Sequence, residues 1–360
     1  MRWPKSALAC VSLTILSVSS PLCSAQSRAF IHQKRYAMGT VFEIVIYDAD
    51  LVEADAAARA ALDEVVRLDG VMSNYKPESE LSRMNRTAYF EPVRISPELY
   101  DVIEQSLYYS RISGGQFDVS VGPVVDLWKA ALAGGALPTT AEQSAALRCV
   151  GYQKIELLPP DRIQFHSDCM RLDLGAIGKG YAIDRVVELL KARGIRRAYI
   201  DAGGSTIYAL GAPPGANAWN VRLRDPSGKL LPETALSNNS LSTSEQSAPS
   251  VLEEATPGHI VLPSTGKPLQ THYAVSVTAP SATASDALST TLFLLGPEQG
   301  AALAKTLHDV SAIWIDSNGE RKFAGDGTGF RLTGREKQIR RSPASQAAVE
   351  SAKTGKDFRQ

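Results

Sequence analysis

Two short, neighbouring stretches carry the residue types that phosphoryl transfer needs. His259-Ile-Val-Leu-Pro-Ser-Thr-Gly266 sets an imidazole in a turn-rich loop. Asp286-Ala-Leu-Ser-Thr290 sets a carboxylate and a hydroxyl four residues apart at the head of an apolar helix. That spacing is one helical turn, so Asp286 and Thr290 share a face. A carboxylate, a hydroxyl and a nearby backbone carbonyl make the hard oxygen set that suits Mg2+, with substrate phosphates completing the shell. A base beside such a metal is what transfer of a phosphoryl group to a hydroxyl requires. The same pair also fits a plainer role, an acid favoured by the helix dipole and a threonine that packs.

Two glycine-rich segments extend the chemistry. In Leu172-Asp-Leu-Gly-Ala-Ile-Gly-Lys-Gly180 a strand ends, the chain turns and a helix begins. Free N–H groups at such a helix start hold phosphates, and glycine lets a ligand approach the backbone. The spacing is neither that of a Walker A loop nor that of a dinucleotide fingerprint, and it equally suits a plain strand-to-helix turn. Gly114-Gly-Gln-Phe-Asp118-Val-Ser-Val-Gly122-Pro-Val-Val-Asp-Leu-Trp128 mixes aromatic and polar groups that can cradle a planar ring and its hydroxyls, or simply end a helix. No zinc-spaced His/Cys cluster and no Gly-x-Ser-x-Gly elbow occurs.

The elements that must position these residues are legible in part. Val41–Tyr47 reads as a strand and 53–69 as an amphipathic helix. Ser73–Asn85 reads as polar turns. Pro97–Ile112 is a helix with proline in its first turn, and Ala141–Leu147 a short one. Strands are expected near 153–158, 162–166 and 170–174, with Pro159-Pro160-Asp161 as a turn. Ala182–Arg193 is a helix stopped by Gly194. Strands near 197–201, 205–211, 219–223 and 274–278 follow, separated by a Ser/Asn/Pro-rich stretch, 227–258, expected to contain an exposed loop. Helices at 286–295, ending at Gly296, and 299–307 precede a strand at 312–315 and a turn at Ser317-Asn-Gly319. Helices and hairpins interspersed this way favour an α+β fold with antiparallel sheet over a doubly wound parallel one.

Composition narrows the class. The chain is 44% hydrophobic and 21% charged, as in an ordinary soluble globular protein, and its 38 basic and 38 acidic residues cancel. No bulk electrostatic case for nucleic-acid binding exists. Residues 1–25 have a short basic start, an apolar run and a small-residue site at Cys23-Ser-Ala25, the pattern of a secretory leader. Export to the periplasm with a mature start near Gln26 is expected, ahead of lipidation at Cys23. Cys149 and Cys169 then remain, either paired in an oxidising compartment or as two free thiols. The tail 331–360 is basic and poor in apolar residues, and is expected to be a disordered end rather than an anionic-membrane contact.

Taken together, the motifs resemble the ApbE family, the FAD:protein FMN transferases. The segments that carry the resemblance are Tyr36-Ala-Met-Gly-Thr40, Met72-Ser-Asn-Tyr75 with Ser79-Glu-Leu-Ser82, Gly115–Trp128, Asp173–Gly180, Asp201-Ala-Gly-Gly204, His259–Gly266 and Asp286–Thr290. The resemblance implies one T-fold-like domain over 26–330, with mixed or antiparallel sheets and packed helices. It implies binding of FAD and Mg2+. The FMN half would pass to a Thr or Ser hydroxyl of a membrane redox subunit or periplasmic flavoprotein, releasing AMP. By resemblance Asp286, Thr290 and the backbone carbonyl of Ala176 hold the metal. Met38, Tyr75, Gln116, Phe117, Asp118, Asp173 and Lys179 contact flavin and nucleotide. His259 is the base or acid near the acceptor, with Asp173 the next candidate. Leu262 departs from the family pattern, which has an Asp there. Two other readings share these residues, a Mg2+-dependent FAD pyrophosphatase and a non-catalytic periplasmic flavin-binding protein.

Overall fold

A computed structural model of the protein describes residues 29–134, 136–226, 230–246, 260–325 and 330. The leader, the basic tail and His259 lie outside these residues. The chain opens with the hairpin β1 (Ile31–Ala37) and β2 (Thr40–Ile46), followed by α1 (Leu51–Met72) and α2 (Glu80–Thr87). Next come β3 (Val93–Arg94), α3 (Pro97–Ile112), α4 (Gly122–Gly134), α5 (Thr140–Arg148) and the hairpin β4 (Ile155–Leu158) and β5 (Arg162–Phe165). Helix α6 (Gly178–Ala192) leads into β6 (Ala198–Ala202), β7 (Thr206–Leu210), β8 (Trp219–Arg224), β9 (Leu230–Leu236) and β10 (Asn239–Ser244). The short pair β11 (Val261–Leu262) and β12 (Lys267–Pro268) precedes β13 (Tyr273–Ala279), α7 (Ala282–Ala304), β14 (Ser311–Asp316) and β15 (Arg321–Gly325).

Eight strands form one antiparallel sheet in the order β1-β2-β6-β7-β10-β13-β14-β15. The expected α+β class with antiparallel sheet is what the chain adopts. Period-two alternation explains how the strands seat. In β2, Phe42, Ile44 and Ile46 are fully buried beneath the helices while the residues between them are not. In β7, Tyr208 and Leu210 join the helical side, whereas Ile207 and Ala209 face a second core. Helices α1, α6 and α7 cover the first face. Val221, Leu223 and Leu236 of the β8–β9 hairpin cover the other. Alanines at 54, 57, 58 and 61 give α1 a narrow apolar stripe, which lets it lie close against α6 and the sheet.

Several expectations need correction. The stretch 227–258, expected only to contain a loop, also supplies β9 and the central strand β10, and its residues 247–258 lie outside those described. Strand β10 reads Asn-Ser-Leu-Ser-Thr-Ser and has no apolar alternation to announce it, since its buried positions carry hydroxyls bonded to α7. The strand expected at 170–174 reduces to a single bridge between Val121 and Arg171. Its backbone is held instead by the Asn85 amide, which accepts from Leu172 N at 2.9 Å and donates to Leu172 O at 3.0 Å. The polar segment 73–85 contains the start of α2, capped where Ser79 Oγ accepts from Ser82 N.

Helix α7 begins at Ala282, so Asp286 lies in its second turn and not at its head. Ser281 caps it, Oγ accepting from Ala284 N at 3.1 Å, and Asp184 of α6 completes the cap by accepting from Ala282 N at 2.7 Å and from Thr283 N at 2.8 Å. Burial raises the Asp184 carboxyl above the usual range, and these bonds pull the other way. The helix breaks at Gly296 (φ 74°) ahead of Pro297. Proline has no N–H for the carbonyl four residues back, and Tyr273 OH fills the gap by donating to Phe293 O at 2.9 Å.

Cys149 and Cys169 are joined in a disulfide, Cα–Cα 5.2 Å, that ties the end of α5 to the turn before Asp173. Reduction is expected to lower unfolding free energy by roughly 3 kcal/mol, the entropy of closing a loop of this size. Urea unfolding with and without reductant checks it, and coincident curves would leave the bridge without a stabilising role. Among the described residues no helix is long and apolar enough to cross a membrane.

Candidate active site

The crossing of α6 and α7 builds the floor of a large cleft. Helix α6 starts without a side-chain cap. One of its first N–H groups, that of Gly180, points across to α7 and donates to Asp286 Oδ2 at 2.9 Å. Asp286 Oδ1 accepts from Thr206 Oγ1 of β7 at 3.1 Å. The residue is only 4% exposed, and its nearest cation, Lys179 Nζ, stands 3.9 Å from Oδ1, beyond hydrogen-bond length. Thr290, one turn on, borders the same cleft, with Oγ1 3.2 Å from Ser244 Oγ. Ala176 lies on the turn leading into α6 and borders the cleft as well.

The cleft has a volume of about 1390 Å³, above the roughly 300–1,000 Å³ of most small-molecule pockets, so it has room for an extended ligand of two parts. Ten of the eleven site residues expected from sequence line it, and His259 lies outside the described residues. Met38 sits at its rim in the two-residue β1–β2 turn, where both Met38 (φ 51°) and Gly39 (φ 77°) adopt positive φ. Tight antiparallel hairpins favour such turns because their twist matches that of the strands. The Asp201–Gly204 turn packs beside this one. A Cβ on Gly203 (φ 64°) would fall 1.9 Å from Thr40 Oγ1, so a larger residue there is strained and must displace the Thr40 side chain.

Asp173 anchors the opposite side. Its Oδ1 accepts from Gly175 N at 2.8 Å, which shapes the turn into α6, and its Oδ2 stands 3.9 Å from Lys129 Nζ. Lys179 Nζ donates to Gly175 O at 3.2 Å. Lys129 donates to Tyr75 OH at 2.8 Å and lies 4.7 Å from the centre of that ring. Partial burial works against the Lys129 charge, but the Tyr75 bond and the Asp173 carboxylate outweigh it and hold the ammonium more firmly protonated. Tyr75 is mostly exposed, an open aromatic face at the cleft mouth.

Gln116, Phe117 and Asp118 enter on the loop between α3 and α4. Phe117 is buried, edge-on to Tyr109 at 6.0 Å. The Asp118 carboxylate is committed within the protein: Oδ1 accepts from Ser120 N at 2.8 Å and Ser120 Oγ at 2.6 Å, and Oδ2 from Tyr152 N at 2.8 Å. Burial raises its pKa, and those bonds offset part of the rise. Its side chain therefore holds the loop in shape. Asp201, also raised by burial, braces its own turn by accepting from Gly204 N at 2.6 Å.

The segment after His259 is held firmly. Trp128 of α4 donates Nε1–H to Gly266 O at 2.7 Å, and Val261 packs on Val124 and Trp128. Gln246 accepts from Ile260 N at 2.9 Å and donates to Leu269 O. Ile260, Val261 and Pro263 line the cleft, whereas Leu262 does not. Thr206, Lys129, Gln246 and the alternating Ser240, Ser242 and Ser244 escaped the sequence reading. The serine alternation, spaced like strand positions facing one side, was the one signal available for them.

An antiparallel α+β fold whose cleft floor holds a buried carboxylate bonded to a helix N-terminus suits a protein that handles phosphates. The ApbE family model matches residues 38–314, and the chain belongs to this family. The FAD:protein FMN transferase of Treponema pallidum is 32% identical over 87% of this chain and 91% of its own length. A FAD:protein FMN transferase of Klebsiella pneumoniae is 28% identical over 81% and 85%. In fold the chain matches the flavin transferase ApbE from Vibrio cholerae, with TM-score 0.72, 23% identity and coverage of 83% of this chain and 97% of that one. It also matches the ApbE protein of Thermotoga maritima, with TM-score 0.74, 24% identity and coverage of 82% and 97%.

Proposed function

We propose that this protein is a flavin transferase that moves the FMN moiety of FAD onto a Thr or Ser hydroxyl of an acceptor flavoprotein, releasing AMP with Mg2+ as cofactor. The observation that carries the reading is Asp286. A carboxylate this buried is stable only with strong compensation. It receives neutral hydrogen bonds from Gly180, Thr206 and, at 3.5 Å, Ser242, and a cation that stops short of contact. With the Thr290 hydroxyl one turn away and Ala176 on the facing turn, the donor set is all oxygen, as Mg2+ prefers. Mg2+ bound there would neutralise the pyrophosphate and the charge gathering on the AMP oxygen.

The chain's own residues do the rest. Lys179 and Lys129 bring positive charge to the walls, and the Asp173–Gly180 turn offers backbone N–H groups to phosphate. Tyr75 offers a ring face for stacking and Met38 an apolar rim. His259 is the base for the acceptor hydroxyl. The new bond is a phosphoester made directly by that oxygen, so no covalent enzyme intermediate is needed. His259→Ala is expected to slow transfer by roughly 10²–10⁴-fold while FAD affinity changes little, since a base acts only in the transition state. Wild-type transfer by this variant across about pH 6–8, where an unperturbed imidazole titrates, would move the role to Asp173.

Incubating the protein with FAD, Mg2+ and an acceptor carrying a candidate threonine tests the reading. A fluorescent acceptor supports transfer. Free FMN and AMP without labelling would make it a pyrophosphatase, and unchanged FAD a binding protein. We also propose export to the periplasm. The leader-like residues 1–25 and the Cys149–Cys169 disulfide support it, since such bonds persist in oxidising compartments. N-terminal sequencing from a native host should begin near Gln26, and a lipid-bearing start at Cys23 would replace this with a membrane-anchored form.

A further inference from the structure

Behind Asp286 and Thr290 runs a row of hydroxyls shared between β10 and α7. Ser244 Oγ lies 3.2 Å from Thr290 Oγ1 and 2.8 Å from Ser289 Oγ. Ser289 Oγ donates to the Asp286 backbone carbonyl at 2.9 Å and lies 3.2 Å from Ser242 Oγ. Ser242 Oγ donates to Ser205 O at 3.0 Å. Ser242 and Ser289 are essentially inaccessible to water, so protein groups must satisfy them.

Each hydroxyl has one proton and two lone pairs, whereas a carbonyl can only accept. The Ser289 proton is directed to the carbonyl oxygen of Asp286, and the Ser242 proton has acceptor-only partners in Ser205 O and, at 3.5 Å, Asp286 Oδ1. The short Ser244–Ser289 contact must then be filled by the Ser244 proton. Ser244 has no second proton for Thr290, so the remaining contact is filled from the other end, by Thr290 donating to Ser244. The row therefore has a direction, from Thr290 through Ser244 to Ser289 and the Asp286 carbonyl. That direction turns the Thr290 proton into the protein and leaves its lone pairs toward the cleft, the orientation a cation requires.

We propose that Ser244 is a positioning residue that makes Thr290 a metal ligand by accepting its proton. The inference rests on the metal reading of Asp286 and Thr290 given above. The test is titration of the purified protein with Mn2+, followed by the loss of free-ion electron paramagnetic resonance signal. Wild type, Ser244→Ala, Ser244→Thr and Asp286→Ala are compared, with thermal unfolding of each.

Ser244→Ala is expected to weaken Mn2+ binding about 10–100-fold, the usual effect of removing a group that orients a ligand. Ser244→Thr keeps the hydroxyl and should restore affinity, which a purely packing role would not produce. Unchanged affinity in Ser244→Ala, with Asp286→Ala unable to bind, overturns the inference and leaves the metal reading standing. A loss in Ser244→Thr equal to that in Ser244→Ala also overturns it. Wild type binding no better than Asp286→Ala overturns the metal reading and this inference together. Should Ser244→Ala fail to fold, Ser289→Ala removes the next acceptor in the row and is read the same way, a weakened site supporting the row and an unchanged one overturning it.

Discussion

Replacing Asp286 by alanine is expected to abolish flavin transfer with Mg2+ as the sole metal. Asp286 is the one charged group assigned to the cation, and no cluster of three or more His, Cys, Asp or Glu that could hold a metal occurs among the described residues. Removing it therefore takes away the negative charge of the site, which neighbouring hydroxyls cannot replace. The change also leaves Gly180 N–H facing a gap, while Thr206 Oγ–H keeps Ser242 Oγ at 3.1 Å as a partner. A buried donor left unsatisfied costs about 1–3 kcal/mol, so thermal unfolding belongs beside the activity assay. Thr290→Val should weaken the site less, since a neutral ligand brings no charge. A folded Asp286→Ala protein that transfers flavin at the wild-type rate would remove this residue from the metal assignment.

The second large effect is expected at Gly180. A Cβ there would lie 2.2 Å from Ala282 O, 2.6 Å from Ala282 C and 2.7 Å from Asp286 Cβ. The two nearest atoms are α7 backbone and cannot swing aside as a side-chain tip would. Gly180→Ala must push α6 and α7 apart, and overpacking of this kind typically costs about 1–3 kcal/mol. For a domain of this size that is a fall of roughly 2–4 °C in unfolding midpoint per kcal/mol. The same separation lengthens the bond from Gly180 N to Asp286, so transfer should drop together with stability. An alanine variant equal to wild type in both would mean that the helices do not cross this closely.

What the sequence disclosed, and what it hid, follows from where polarity alternates. Helix α3 announced both its ends, with Pro97 at its start and an apolar pattern that stops at Ile112. Strand β2 was legible from Phe42, Ile44 and Ile46. Strand β1 was not, because His32, Lys34 and Tyr36 face solvent on the edge of the sheet and the residues between them are only half buried. Strand β10 was hidden for the opposite reason, being buried through serines that read as loop composition. The start of α7 was placed too late although Ser281 marks it locally, its Oγ accepting from Ala284 N at 3.1 Å. The further bonds from Ala282 N and Thr283 N to Asp184, a hundred or so residues earlier in the chain, have no local pattern. At the site, single-turn spacing was enough to pair Asp286 with Thr290. Thr206 and Gly180 hold Asp286 through contacts made only by folding, and no local pattern marks them.

The break at Gly296 has a mechanical consequence for the cleft. An unbroken helix transmits rotation along its whole length, so inserting or deleting one residue turns everything beyond it by about a hundred degrees. In α7 the chain leaves helical geometry at Gly296, and Tyr273 supports the carbonyl orphaned by Pro297. Angular phase is reset there. Residues after Pro297 can change in number or tilt to suit β14 without turning Asp286 and Thr290 away from α6. The end of α7 nearest the chemistry keeps its bearing while its far end adapts to the sheet edge.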